Sequence, residues 1–548
     1  MCYYKYHACE QAEISLSSSF CLPIYCSCLC CIAKLLAFAA RHLAMCSSSE
    51  SQVISNSDIG NCRDKNYCID GEVAGGRSSI GELLKWLWTI KVAEELTSLW
   101  KIAYPTAITG FLLHSKSIIA MLFLGRLGDI QLAGGSLAIG FANITGYSVI
   151  KGLAMAMESI CSQAYGAKRF PVLSQTLVKT IFIIVLTMIP ISLWWSNIDP
   201  ILQWLGQDQD ISSVARSYIA FSIPELIAQS FLHPLRVFLR AQNITKPLTI
   251  SATFSMILHI PINYILVEYT DLGVKGVALA SACNTVNLIL GLLVYLFLST
   301  EAVKPWHGQS VSTFFQGWKR LLALMVPSLF SVCLEWWWYE IMVLLCGLLI
   351  DPQASVSAMG ILIQTTGLIY VLPSSLNMGL STLVGQALGA EQPAVAQRTT
   401  IIGIIVATAC GLLALTSAVA VRDVWGKLYT SEPQVLALTS SVLPILGLCE
   451  LGNCPQTAAC GILVGSARPR LGVYINFVAF YLIGLPVATL LAFRLNMGFL
   501  GLWYGLAAAQ ASCVCMMICS LVCTNWKHQV ERAKKLTQIP QDQVSLLA

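Results

Sequence analysis

The residues best equipped for chemistry are a few acids set among apolar neighbours. Glu335 opens the run Glu335-Trp336-Trp337-Trp338-Tyr339-Glu340. On a helix Glu335 and Tyr339, four apart, share a face. Glu340 falls about 140° round from Glu335, on the side of Trp336 and Trp337. A second acid, Glu450, lies in Pro444-Ile-Leu-Gly-Leu-Cys-Glu450-Leu-Gly-Asn453-Cys-Pro455. Asn453, three residues on, is on the same side, and Pro455 frees the carbonyl of Leu451. A carboxylate, an amide and a loose carbonyl suit a proton or small cation. The aromatic faces beside Glu335 suit an organic cation, at about 0.5–2 kcal/mol per contact. The bland alternatives are an interfacial aromatic belt for the Trp run and a helix–helix hydrogen bond for Glu450.

Composition says what must hold these acids. Hydrophobic residues make up 56% of the 548 and charged residues 11%, with mean hydropathy +0.70. A soluble chain carries about 25% charged residues, so this one needs lipid around it. Net charge is +5, too small and too scattered to argue for nucleic acid. A carboxylate deep in a bilayer is costly and faces a cavity or partner. Glu158, near the end of an apolar segment, reads as a solvated interfacial charge. Glu225 reads equally as a functional acid or as the structural partner of Arg216 or Arg236. There is no Gly-rich phosphate loop, HExxH or Gly-x-Ser-x-Gly elbow, so a soluble-type enzyme and a self-contained ATP-driven pump are both disfavoured. Ten of the 22 cysteines lie in residues 1–95. The others fall in or beside apolar segments, as buried unpaired thiols.

A crossing helix needs roughly 20 apolar residues. Twelve segments qualify, from 97–125 to 498–523. Sustained alternation, the mark of a barrel, is missing. Lys168, Arg169, Arg236, Arg240, Lys246 and Arg468 are among the many basic residues assigned to loops on the side of the termini, against Arg126, Lys275, Arg422, Lys427 and Arg494 opposite. The positive-inside rule then puts both termini in the cytosol.

The halves repeat. Ser162-Gln-Ala-Tyr-Gly-Ala matches Gly385-Gln-Ala-Leu-Gly-Ala, 223 positions on, and Pro105 matches Pro327, 222 on. Lys246-Pro247 matches Arg468-Pro469 at 222, and Leu272-Gly273-x-x-Gly276 matches Met497-Gly498-x-x-Gly501 at 225. A six-span unit repeated once keeps its orientation, so the repeat is parallel, about an axis along the membrane normal. Gly152, Gly379 and Gly411 would allow close helix contact.

These residues, with Leu124-Gly125-Arg126-Leu127-Gly128 and the run from Cys333 to Glu340, resemble the multidrug and toxic compound extrusion (MATE) family, in its plant DETOXIFICATION-type branch, over about residues 95–525. The resemblance implies an all-α integral membrane fold of twelve transmembrane helices in two pseudo-symmetric six-helix lobes. It implies proton-coupled antiport exporting small organic cations, xenobiotics or secondary metabolites, with H+ ahead of Na+ as coupling ion and no cofactor. It assigns proton or cation coupling to Glu335 and Glu450, with Glu340 behind them. Trp336, Tyr339 and Asn453 are the expected substrate contacts. The first span departs from bacterial members by offering His114 and Lys116 but no acid. Alternatives are an organic-anion or hormone efflux carrier and, in another class, a membrane-embedded enzyme or scaffold without flux.

The expected organisation is a Cys/Ser-rich disordered cytosolic leader over 1–79 and an interfacial amphipathic helix over 80–95. An N-lobe of spans one to six follows over 96–300, then a cytosolic linker over 301–319. A C-lobe of spans seven to twelve covers 320–525, and a cytosolic tail covers 526–548. The expected partners are a small-molecule substrate and the bilayer, with no nucleic acid, no metal and a monomeric state. The expected location is the plasma membrane or an endomembrane or vacuolar membrane.

Overall fold

The computed structural model describes residues 90–204, 209–299 and 317–538. The expected leader, most of the interlobe linker and the last residues of the tail lie outside them. So does most of the expected interfacial helix, whose described end, from Ile90, continues into the first span. By contacts the chain divides into Met1–Thr97 with Ile518–Cys523, and Ser98–Met517 with Thr524–Ala548. The first unit is described only at its helical ends, and every contact below lies within the second.

The long helices are α1 Val92–Leu127, α2 Ile130–Gly166, α3 Phe170–Ser196, α4 Gln209–Ala241, α5 Lys246–Tyr269 and α6 Val274–Leu298. They continue with α7 Trp318–Cys346, α8 Pro352–Gly389, α9 Pro393–Leu428, α10 Pro433–Gly465, α11 Pro469–Arg494 and α12 Gly498–Val522. Eleven are long and apolar enough to cross a membrane. The twelfth, α4, has the length, 33 residues, but carries Arg216, Glu225, Arg236 and Arg240. Proline in the first turn starts α3, α5, α8, α9, α10 and α11, where its missing N–H costs nothing. Arg236 and Arg240, expected in a loop, are instead inside α4, because that helix runs on to Ala241.

In the N-lobe α4 packs on α2, α3 and α6, and α5 on α6. In the C-lobe α10 packs on α8 and α9, and α7 on α11. The lobes meet where α2 lies against α7 and α8. Glycine permits close approach: a Cβ on Gly152 would sit 2.7 Å from Leu329 Cα of α7, and one on Gly379 2.9 Å from Leu99 Cδ1 of α1.

Duplication reaches the backbone. The non-glycine residues with positive φ are Lys168 (58°), Asn243 (62°), Asp271 (52°), Glu391 (62°), Ala467 (56°) and Asn496 (53°) among the described residues. They pair as Lys168/Glu391, Asn243/Ala467 and Asp271/Asn496, at the offsets of the sequence repeat. Four end helices in one way: Arg169 N donates to Ala164 O (2.8 Å), Ile244 N to Leu239 O (3.0 Å), Gln392 N to Ala387 O (2.9 Å) and Arg468 N to Leu463 O (2.8 Å). That six-to-one bond is the Schellman closure, which needs a left-handed residue just before its donor. Wide π turns recur too, at Ile265–Tyr269 and Leu490–Arg494.

A last helix, α13 Trp526–Thr537, follows, capped by Asn525, whose side chain accepts from His528 N at 3.2 Å. Trp526, Val530, Ala533 and Thr537 are its buried stripe. It packs on α2, α8 and α9. Arg169 Nη1 donates to Thr537 Oγ1 (3.1 Å), Arg320 Nη1 to Gln538 O (2.9 Å), and Lys534 pairs with Glu391 (2.7 Å). The tail is therefore a strap that touches both lobes.

Candidate functional site

A cavity of about 290 Å³ lies between the lobes, walled by α2 and α4 on one side and α7, α8, α10 and α11 on the other. Its C-lobe wall carries Glu335, Trp336 and Tyr370; its N-lobe wall carries Lys151, His233, Arg236 and Arg240. Lys151 reaches across, its Nζ 5.1 Å from the Trp336 ring centre and 5.7 Å from that of Tyr370. It is also a positive charge within electrostatic range of Glu335. A cation of the protein itself thus sits on the aromatic faces beside this acid. Arg236 Nε is buried without a hydrogen-bond partner.

The three tryptophans divide their surroundings by helical rotation of 100° per residue. Trp336 lines the cavity. Trp337 is exposed, and Trp338 is fully buried, 5.5 Å from the Phe480 ring. Glu340 is half-buried and does not line the cavity, as its angle from Glu335 requires.

Glu450 and Asn453 form a second layer behind the wall. Both are buried, and Asn453 Nδ2 donates to Glu450 Oε2 at 2.9 Å. Thr457, which lines the cavity, donates to Asn453 Oδ1 at 3.3 Å. Tyr339 lies within electrostatic range of both Glu450 and Glu335 but off the cavity wall. So Glu335 and Trp336 face the cavity directly. Glu450 and Asn453 stand behind it, joined to it through Thr457, and Tyr339 lies off the wall beside them.

At the end carrying the two Gln-Ala-x-Gly-Ala turns, the lobes clasp. A Cβ on Gly166 would strike the carbonyl of Gln386, and one on Gly389 that of Gln163. Gln163 Nε2 donates to Gly465 O (2.8 Å) and Gln386 Nε2 to Ala241 O (2.9 Å), two bonds related by the repeat. Beside them Glu158, read from its position as a solvated charge, is only 2% exposed. Arg240 Nη2 lies 3.0 Å from its carboxylate, and Ser381 of the opposite lobe donates to it. Burial against a partner from the other repeat is what its position near a helix end concealed. Glu225 pairs with Lys116 of α1, rather than with Arg216 or Arg236, and Arg216 pairs with Asp199 instead. Among the described residues no three His, Cys, Asp or Glu come together as metal ligands.

The MatE family model matches residues 105–265 and 327–490, one stretch in each repeat. Protein DETOXIFICATION 53 of Arabidopsis thaliana is 54% identical, over 83% of this chain and 93% of its own. The chain belongs to the MATE family. Protein DETOXIFICATION 48 of Arabidopsis thaliana is 48% identical, over 90% of this chain and 94% of its own. The crystal structure of the eukaryotic MATE transporter AtDTX14 superposes with a TM-score of 0.79 at 31% identity, over 82% of this chain and all (100%) of that one. The Vibrio cholerae MATE transporter VcmN in the bent form, 18% identical, shares the fold with a TM-score of 0.69, over 82% of this chain and 100% of that one. As a MATE protein it is a multi-pass membrane efflux transporter and not an enzyme. Among the described residues twelve long helices form the two six-helix lobes of that fold.

Proposed function

We propose that this transporter is a proton-coupled antiporter whose cation-handling centre is Glu335, with Glu450 as the buried acid that shares its proton. One observation carries the reading: Lys151 Nζ rests on the rings of Trp336 and Tyr370 beside Glu335. A pocket that accepts a tethered ammonium suits an organic cation by the same contacts. Protonating the carboxylate removes the charge that holds the cation, so one proton in releases one substrate out. H+ fits better than Na+ because Asn453 turns its NH2 toward Glu450 and its oxygen toward Thr457, leaving a metal ion few oxygen ligands. One charge crossing 100 mV supplies about 2.3 kcal/mol and each pH unit about 1.4 kcal/mol. Exchange for a monovalent cation uses only the pH term, about tenfold per unit.

The proposal includes a monomer with both termini in the cytosol, in the plasma membrane or an endomembrane or vacuolar membrane, acting without nucleic acid. Glu340 is a weaker candidate, being off the cavity. A second reading, export of an organic anion such as an acidic hormone, is favoured by Lys151 and Arg236 on the N-lobe wall, where Arg236 has no ion-pair partner among the described residues. Proteoliposome flux under an imposed pH gradient, against a panel of cations and acids, tests both. Flux that follows a Na+ gradient and ignores pH would sink the proton assignment.

A further inference from the structure

A second cavity, of about 430 Å³, borders the interlobe site at Pro469 and lies where α7, the start of α11 and α13 meet. Arg468, Arg470 and Arg532 line it together with Tyr474 and Leu324. Among the described residues, none of the three arginines has a carboxylate within ion-pair distance. Arg468 spends Nε on Ser466 (3.1 Å) and Nη1 on Thr524 (2.9 Å), while its Nη2 is buried without a partner. Burial, and then Arg532 beside it, push its guanidinium down to about 10. Like charges gathered without an acid raise the free energy of the empty site, and a bound anion would remove that cost. The start of α11, at Pro469, adds the positive end of a helix dipole.

The flanks say which anion. Leu322, Val326 and Phe330 form an exposed apolar stripe on α7, one turn apart. Tyr474 and Phe477 are exposed on the neighbouring α11, which is tied to α7 by Tyr481 Oη donating to Leu334 O at 2.9 Å. A soluble phosphate has no use for such a surface; acyl chains do. We propose that this cavity binds the phosphate of an anionic phospholipid from the adjoining leaflet, with its chains laid along α7 and α11. Arg532 lies on α13, so the lipid joins the C-terminal strap to the C-lobe.

The test uses the full-length transporter in detergent and native mass spectrometry, with dioleoylphosphatidic acid, dioleoylphosphatidylcholine and inorganic phosphate as probes. Phosphatidic acid should bind about tenfold or more tighter than phosphatidylcholine, and the double variant Arg470→Gln/Arg532→Gln should lose about tenfold or more of that affinity. Both side chains are exposed, so the variant should fold, with the parent's melting temperature in lipid-free detergent. Lys535→Gln, on α13 but off the cavity, should bind as the parent does. Equal affinity for the two lipids, or unchanged affinity in the double variant, overturns the proposal. Displacement of the lipid by inorganic phosphate at matching concentration overturns it in favour of a soluble anion site.

Discussion

Glu158 and Ser381 hold equivalent positions in the two repeats, and the hydroxyl of one donates to the carboxylate of the other across the lobe boundary. The pseudo-two-fold axis thus passes through an asymmetric pair, acid on one side and hydroxyl on the other. Arg240, from the acid's own lobe, neutralises it. Glu158→Ala should cost about 3–5 kcal/mol by leaving Arg240 buried and unpaired, whereas Ser381→Ala, which removes one hydrogen bond to a charged group, should cost about 1.5–3 kcal/mol. Thermal unfolding in detergent checks the ranking; no loss in either variant would mean the axis pair does not hold the lobes.

Glu335→Gln should abolish exchange driven by a pH gradient while leaving insertion and melting temperature near the parent's. The amide keeps the shape and the neighbours of the carboxylate but carries no exchangeable charge. Flux in proteoliposomes decides it: a normal rate in this variant removes Glu335 from the mechanism.

Competition gives the pH dependence a sign. A proton on the coupling carboxyls and a cation in the aromatic pocket exclude one another, so cation affinity should weaken as pH falls. Each pH unit below the titration is worth up to about tenfold. Glu450→Gln should shallow that slope, because Glu450 lies within electrostatic range of Glu335. Equilibrium binding across pH measures it: a flat profile in the parent counts against a shared site, and affinity that rises as pH falls argues for the anion reading.

Gly389→Ala should wedge the clasp open. Its added methyl meets the carbonyl of Gln163, which belongs to backbone and cannot swing aside. Flux should fall about tenfold or more, the loss that about 1.4 kcal/mol against the clasped state produces. A cysteine placed at Asn377 should become more reactive to a thiol reagent from the clasp side. Unaltered labelling would show that the lobes separate elsewhere.

Ala467→Gly should stabilise the protein by roughly 1 kcal/mol. Ala467 closes α10 with a φ of 56°, a conformation costly to any residue with a Cβ and free to glycine. A raised melting temperature is the expected readout, and a fall would mean that its methyl packs more usefully than its backbone strains.

The spans and the repeat were legible because lipid fixes helix length and duplication fixes offset, both of which act on residues close in sequence. Glu335 and Trp336 were legible for a similar reason: an acid next to aromatic rings is conspicuous where charges are scarce. Lys151, His233 and Arg236 were not. A basic residue toward the end of an apolar segment reads as a loop charge, and only the full length of α4 carries Arg236 and Arg240 into the cavity wall. Glu158 was misread because its partner from the other repeat is distant in sequence. Tyr339 shares a helical face with Glu335, yet it stands behind the wall, since the shape of a cavity depends on neighbouring helices as well as on rotation. Gln163 and Gln386 were visible as a motif, but their bonds to Gly465 and Ala241 required the lobes to be assembled.

The strap gives this transporter a mechanical readout. Held by Thr537 and Gln538 to Arg169 and Arg320, and by Lys534 to Glu391, α13 cannot follow both lobes once they part. It must slacken on one side at every stroke. A dye on its exposed Lys535 therefore changes surroundings with each cycle.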